Sequence, residues 1–382
     1  MDDSPPTGPL AGTRILDLTR LLPGPLCAQY FADLGADVIK IEDTQAGDYA
    51  RPALRELVNR GKRGIRLNLK AEEGKEVFLA LARQADVVIE SFRPGTMQRL
   101  GAGYDVLHPL NPRLVYCAIS GYGQTGPRRF DAGHDINFLA LSGILEQTGS
   151  EASPALPGFL IGDLAGGALS AAAGILAALL DARRTGQGRF VDVSMADSLV
   201  SQSVLPVAAL NEHAPLPSRG MGTHTGGNAH YNTYRTRDGR YLAVGAQEKK
   251  FWDAFCDAVG CPDLKDHHDH AVRPGDPVKQ AVASAIEMRT LAEWMEVFRG
   301  IDCCVSPVLD IGEATRDEHF RAREVVCEHD GALRLGLPFK LSGLSVDYGR
   351  ASPRKGQHTE KVLRELGYGE TEIRRLREAD AI

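Results

Sequence analysis

The chain has 382 residues, of which 43 % are hydrophobic and 25 % charged, and a formal net charge of −6. Its length predicts two domains and its composition a soluble globular protein. The acidic balance argues against a nucleic-acid partner, which needs a positive field to neutralise phosphates. The first residues, MDDSPPTGPLAG, are acidic and Pro-rich, without the apolar stretch of a secretory signal. Seven cysteines form no CxxC pair, so free thiols in a reducing cytoplasm are expected.

Up to residue 205, short β-rich runs alternate with helical patterns, the signature of a parallel sheet flanked by helices. Arg14–Leu18 reads as a strand, followed by a Pro-Gly-Pro turn at 23–25 and a helix through Ala32. Strands are then predicted at Asp37–Ile41, Gly64–Asn68, Asp86–Glu90, Arg113–Ser120 and Phe190–Val193, with a helix over 71–83. The longest apolar run, Leu164–Leu180, is mostly Ala and Gly and leads into Asp181, Arg183 and Arg184. A membrane span usually needs ~20 strongly apolar residues, so a core helix over 164–182 is expected, stopped by Gly186-Gln187-Gly188.

Composition shifts after Leu205. Residues 206–225 read as a linker and 226–325 as a smaller domain, in which NTYRTRDGRYLAVGA forms a hairpin turning at Asp238-Gly239. Helices are predicted at 249–259, 275–287 and 290–299. Beyond Arg323 the chain reads as loops returning to the first domain (326–382), with a terminal helix near 359–367.

Several motifs have bland and functional readings. Gly121–Gly126 fits GxGxxG after a strand, but Pro127, Arg128 and Arg129 follow where a dinucleotide site needs a helix, so loop chemistry is expected. In His267-His268-Asp269-His270 neighbours point to opposite sides of the backbone, which favours a solvated loop over a metal site. Cys303-Cys304 reads as a pair of small core residues. Seven basic residues between Arg51 and Lys70 form either a solvated face or a clamp for a polyanion, which Arg93 beyond a strand end could join. Asp163, between Gly162 and an Ala/Gly-rich helix, is either an N-cap or a reactive carboxylate. Gly166 and Gly167 in that first turn suggest close approach of a ligand. His134 in Ala-Gly-His-Asp and Glu248 at a strand-to-helix junction are open to the same two readings.

Taken together these segments resemble family III CoA-transferases. GTRILDLTRLLPGPLCAQYFADLGADVIKIED (12–43), NRGKRGIRLNLK (59–70), VVIESFRPG (87–95), YCAISGYGQTGP (116–127), TGQGRFVDVSM (185–195) and GQHTEKVLRELGY (356–368) carry the likeness. The resemblance implies an α/β fold: a large Rossmann-like domain with a parallel sheet, built from both chain ends, plus a smaller α/β domain, in an interlocked homodimer. It implies a CoA thioester as substrate, no resident cofactor or metal, and no membrane partner. Asp163 matches the family's reactive carboxylate, a nucleophile in the transferases and an acid/base in the α-methylacyl-CoA racemases. His134, Glu248 and Tyr231 match racemase residues, and FRGIDCCVSPVL at 298–309 is racemase-like. On this reading Glu248 and Tyr231 come from the partner chain. Gly162, Gly166, Tyr231 and His230 would border the acyl group; Arg51, Arg60, Lys62, Arg63 and Arg93 would hold CoA. Backbone N–H groups beside Asp163 would face an enolate oxygen. Asp43 departs from the basic residue of racemase relatives, and GGNAHYNTY (226–234) from their GGAPYY, which points to a different acyl group.

Overall fold

The computed structural model describes residues 8–45, 47–268 and 275–382. It divides into two compact units. The first comprises the chain up to Ser142, Phe159–Gln202 and Glu318–Ile382; the second comprises Gly143–Gly158 and Ser203–Asp317. The compositional shift near Leu205 marks one crossing, whereas the short excursion at 143–158 has no such signal.

The first unit holds β1 (Arg14–Asp17), β2 (Asp37–Glu42), β3 (Arg63–Arg66), β4 (Val87–Glu90), β5 (Val115–Ser120) and β6 (Phe190–Ser194). They form one sheet in the order β3-β2-β1-β4-β5-β6, every neighbouring pair parallel. The order reverses between β1 and β4, the switch point beyond which ligands gather in doubly wound sheets. Helices cover both faces, as parallel strands require. Phe78, Leu81, Leu107, Leu363 and Leu376 pack on one face; Phe31, Ala171, Ile175 and Leu179 pack on the other.

Three helices position the candidate site. Helix α1 (Pro23–Asp33) follows β1 with proline in its first turn, where the missing N–H costs nothing. Helix α2 (Asp135–Leu141) follows the loop after β5. The third starts as a wide π-helical turn, Gly162–Leu169, and continues as helix α3 (Ser170–Thr185). Gly186, in the left-handed region at φ 74°, closes it, so the helix runs past the residue 182 expected from the sequence. Its length and composition would suffice to cross a membrane. One face packs on the sheet through Ala171, Ile175 and Leu179, while Leu176 and Leu180 are exposed.

The second unit carries the expected hairpin, Tyr231–Arg235 paired antiparallel with Tyr241–Gly245, and a third strand, Val305–Pro307. Trp252, Phe255, Ile286, Trp294 and Phe298 form its core. Other elements differ from the expectation. Val204–Asn211, placed mostly in the linker, is a helix. Residues 326–335, read as loop, form a hairpin, Val326–His329 against Ala332–Leu335. A last helix, Glu370–Glu378, follows the expected one at Thr359–Glu365. Cys303 is buried as expected, but Cys304 is exposed, with its backbone in the left-handed region at φ 55°.

A Cβ added at Gly167 would lie 2.9 Å from Pro23 Cβ, and one at Gly166 would lie 3.0 Å from the Met195 carbonyl oxygen. These glycines therefore let the π-helical turn approach α1 and the chain beyond β6. Gly167→Ala is expected to lower unfolding stability by about 1–3 kcal/mol in a denaturant titration. An unchanged midpoint would show that this contact is not tight.

Candidate active site

Asp163 lies in the first turn of the π-helical stretch, and the N-cap position belongs to Ile161. That removes the N-cap reading. Wide turns of this kind are rare and frequently mark functional sites. Its backbone N–H donates to Asp135 Oδ1 at 2.9 Å, and the next N–H, of Leu164, donates to the Leu160 carbonyl at 2.9 Å. The amides beside Asp163 are therefore engaged within the unit and are not donors for an enolate oxygen, contrary to the expectation from sequence.

Asp135 opens helix α2, and His134 stands just before it in extended backbone. The His134 N–H donates to the Asn137 side-chain oxygen at 3.0 Å, which fixes the helix entry. Phe138, one turn on, is buried. A Cβ at Gly121, Gly133 or Gly162 would approach its ring to 2.5, 2.8 and 3.4 Å, respectively. Three glycines from different segments thus seat one ring and bring His134, Asp135 and Asp163 together. The His134 imidazole is exposed, whereas the Asp163 carboxyl is half-buried.

Burial, and then the like charge of Asp135, push Asp163 up to about 6, with His134 pulling the other way. A carboxyl at this point holds and releases a proton near neutral pH, as an acid/base group must.

The basic residues divide. Lys62 is buried and gives its three N–H donors to Asp17 (2.8 Å), the Pro25 carbonyl (2.9 Å) and Asn59 (2.9 Å). Arg60 is buried against Asp33, its guanidinium over the Tyr348 ring. Arg63 bridges Asp37 and Glu365. Internal carboxylates thus take Arg60, Lys62 and Arg63 out of the expected phosphate clamp. Arg51 and Arg93 are exposed, on loops beyond the carboxyl ends of β2 and β4, with no ion pair among the described residues. They remain suited to an anion. Sequence reading overlooked Arg20, just beyond β1. Its guanidinium meets Asp43 at 2.6 Å and lies over the Tyr49 and Phe92 rings, each centroid 5.4 Å away. Asp43 thus serves a neighbouring arginine.

In the loop Gly121–Gly126, the Gln124 N–H donates to the Asp192 carboxylate at 3.0 Å, and the next helix of seven residues starts only at Asp135. This is not a dinucleotide fingerprint. Gly162 and Gly166 are buried, with packing reasons of their own.

The second unit carries the other expected residues. Glu248 precedes the helix Lys249–Ala258, but its side chain does not cap it and is exposed. Cys304 lies within its electrostatic reach. Tyr231 opens the hairpin, its ring edge-on to His224 at 5.2 Å. His230 is only 6 % exposed and stacks on His268 at 4.7 Å. This packing leaves it little surface for an acyl contact, a correction to the expectation. His268 also reaches the Gln247 carbonyl at 2.7 Å, so it is not simply a solvated loop residue. Asp269 and His270 lie outside the described residues. Among the described residues no group of three His, Cys, Asp or Glu side chains is arranged to hold a metal.

The family model described as CoA-transferase family III matches residues 10–359. The chain belongs to this family. The family III chain is 35 % identical to human α-methylacyl-CoA racemase over 96 % of each protein. It is 34 % identical to the acetyl-CoA:oxalate CoA-transferase of Acetobacter aceti, over 94 % of this chain and 96 % of that one. A solved CAIB/BAIF family protein from Brucella suis superposes with a TM-score of 0.80 at 29 % identity, covering 94 % of this chain and 99 % of that one.

Two outcomes test this site in the family III enzyme. An Asp163 raised to about 6 when folded, against about 4 when unfolded, destabilises the fold once ionised. Well below both values the two states bind the proton alike, so Asp163→Asn should change stability little near pH 3. Its gain should grow as pH rises and level off above 6, as thermal melts would show; a pH-independent difference contradicts this. Lys62→Ala strands buried Asp17 and should cost about 3–5 kcal/mol, whereas Arg93→Ala should leave the melting temperature within error.

Proposed function

We propose that this family III enzyme racemises 2-methylacyl-CoA thioesters by 1,1-proton transfer through an enolate. The observation that carries this reading is a half-buried Asp163 carboxyl raised to about 6, with His134 within its electrostatic reach. Racemisation needs one base on each face of C2. Asp163 removes the proton on one face while His134 delivers one on the other, and the roles exchange with direction. Thus C2–H breaks to the base, the electron pair passes into the thioester enolate, and a new C2–H bond forms from the opposite acid. Arg51 and Arg93 face the CoA phosphates. Side chains alone carry this chemistry, with the CoA thioester as substrate and no resident cofactor.

Glu248 and Tyr231 are proposed to complete the site from the second chain of a homodimer, with Glu248 steadying the imidazolium. Val204, Leu205, Val207 and Leu210 on one helix are all exposed, which supports a large partner-covered surface. Relatives of the transferase kind support a second reading, in which Asp163 is the nucleophile that carries CoA between an acyl-CoA and a free acid.

Incubation of single-epimer 2-methylacyl-CoA in D₂O should place deuterium at C2 without any added acid, and His134→Ala should abolish most of it. CoA exchange that depends on a free acid, with a hydroxylamine-trappable ester at Asp163, would overturn the racemase reading.

A further inference from the structure

The carboxyl group that the proposed chemistry leaves unused is Asp135. It is 7 % exposed and lies between His134 and the helix it opens. Its Oδ1 accepts the Asp163 N–H at 2.9 Å, a contact across 28 residues of chain. Room for that oxygen exists only because residue 162 is glycine: a Cβ there would stand 2.9 Å from it. A buried carboxylate aimed at a backbone amide next to another carboxyl is a poor choice for stability alone. The two like charges repel, and an uncharged acceptor would satisfy the amide without that repulsion.

We propose that Asp135 is the positioning residue for Asp163. Its hydrogen bond fixes the backbone from which the reactive carboxyl projects, and its charge adds to burial in keeping that carboxyl a weak acid. Asp135 makes no bond to substrate in this role and acts only through Asp163. The charged groups that act on Asp163 are Asp135 and His134, both from the start of α2. Nearest Gly166 and Gly167 of the π-helical turn stand Pro23 and Met195, which carry no charge, and Asp197, beyond Met195, is exposed. The role in turnover rests on the proposed acid/base reading, while the coupling of the two carboxyls does not.

Two substitutions separate the parts. Asp135→Asn keeps an acceptor and removes the charge; Asp135→Ala removes both. The coupling is read without any substrate, from thermal stability between pH 4 and 8 of the wild type, Asp163→Asn, Asp135→Asn and the double variant. The stability that Asp163→Asn gains as pH rises should be clearly smaller in the Asp135→Asn background. An equal gain in both backgrounds overturns the proposal.

In the C2 exchange assay with 2-methylacyl-CoA in D₂O, the acid limb of kcat/KM for Asp135→Asn should move down by roughly half a pH unit or more. The sign follows because Asp163 must be ionised to act as base, and losing a neighbouring negative charge eases its ionisation. Asp135→Ala should lose about a hundredfold in kcat with little change in KM. An acid limb for Asp135→Asn that coincides with the wild type, while Asp163→Asn is inactive, also overturns the proposal. Exchange that persists in Asp163→Asn instead counts against the acid/base reading, and the stability cycle still decides the coupling.

Discussion

The site depends on close packing that only glycine permits. Gly121, Gly133 and Gly162 seat the Phe138 ring, and Gly166 and Gly167 let the π-helical turn settle against Met195 and Pro23. Those contacts join the segment after β5, the segment after β6 and the start of α1 at the carboxyl edge of the parallel sheet. Asp163 is held half-buried next to a second carboxyl, and its raised pKa follows from that position. The electrostatics is thus a product of the packing: a methyl group at position 162 would move Asp135, and with it the charge that acts on Asp163.

A second constraint explains why a chain so rich in Arg and Lys near its first strands presents few of them as free cations. Parallel strands buried on both faces place Asp17, Lys40 and Asp33 in or against the core, where charge persists only when paired. Lys62 pairs with Asp17, Arg60 with Asp33, and Asp48 with Lys40. The cluster between Arg51 and Lys70 looks uniform in sequence, yet it splits into structural ion pairs at Arg55, Arg60, Lys62 and Arg63, a carbonyl contact at Arg66, and exposed Arg51 and Lys70. Charge count alone could not make that division, because the paired carboxylates are far away in the chain: Asp17 is 45 residues from Lys62 and Asp33 is 27 from Arg60.

Much of the fold was legible in the sequence. All six strands of the parallel sheet were visible as β-rich runs, and the Asp238-Gly239 hairpin declared its own turn. The Val204–Asn211 helix and the 326–335 hairpin were not, since each is short, and no residue of that helix is buried. His134 and Asp163 were nominated together through resemblance to racemases, and an electrostatic interaction links them, although their spacing of 29 positions says nothing by itself. Asp135 stands in the same motif, but its contact with the Asp163 amide spans 28 residues of chain, which no local pattern shows. Gly166 was read as a ligand contact, whereas its nearest neighbour is the Met195 carbonyl. His230 was read as a contact of the acyl group, whereas it stacks on His268, a pairing that no local pattern encodes.

The central claim is that packing makes Asp163 a carboxyl that exchanges its proton near neutral pH. The direct measurement is a ¹³C NMR titration of carboxyl-labelled aspartate, with Asp163→Asn identifying the signal. A midpoint of about 6 is the expected result. A midpoint at or below about 4, the ordinary aspartate range, would contradict the account.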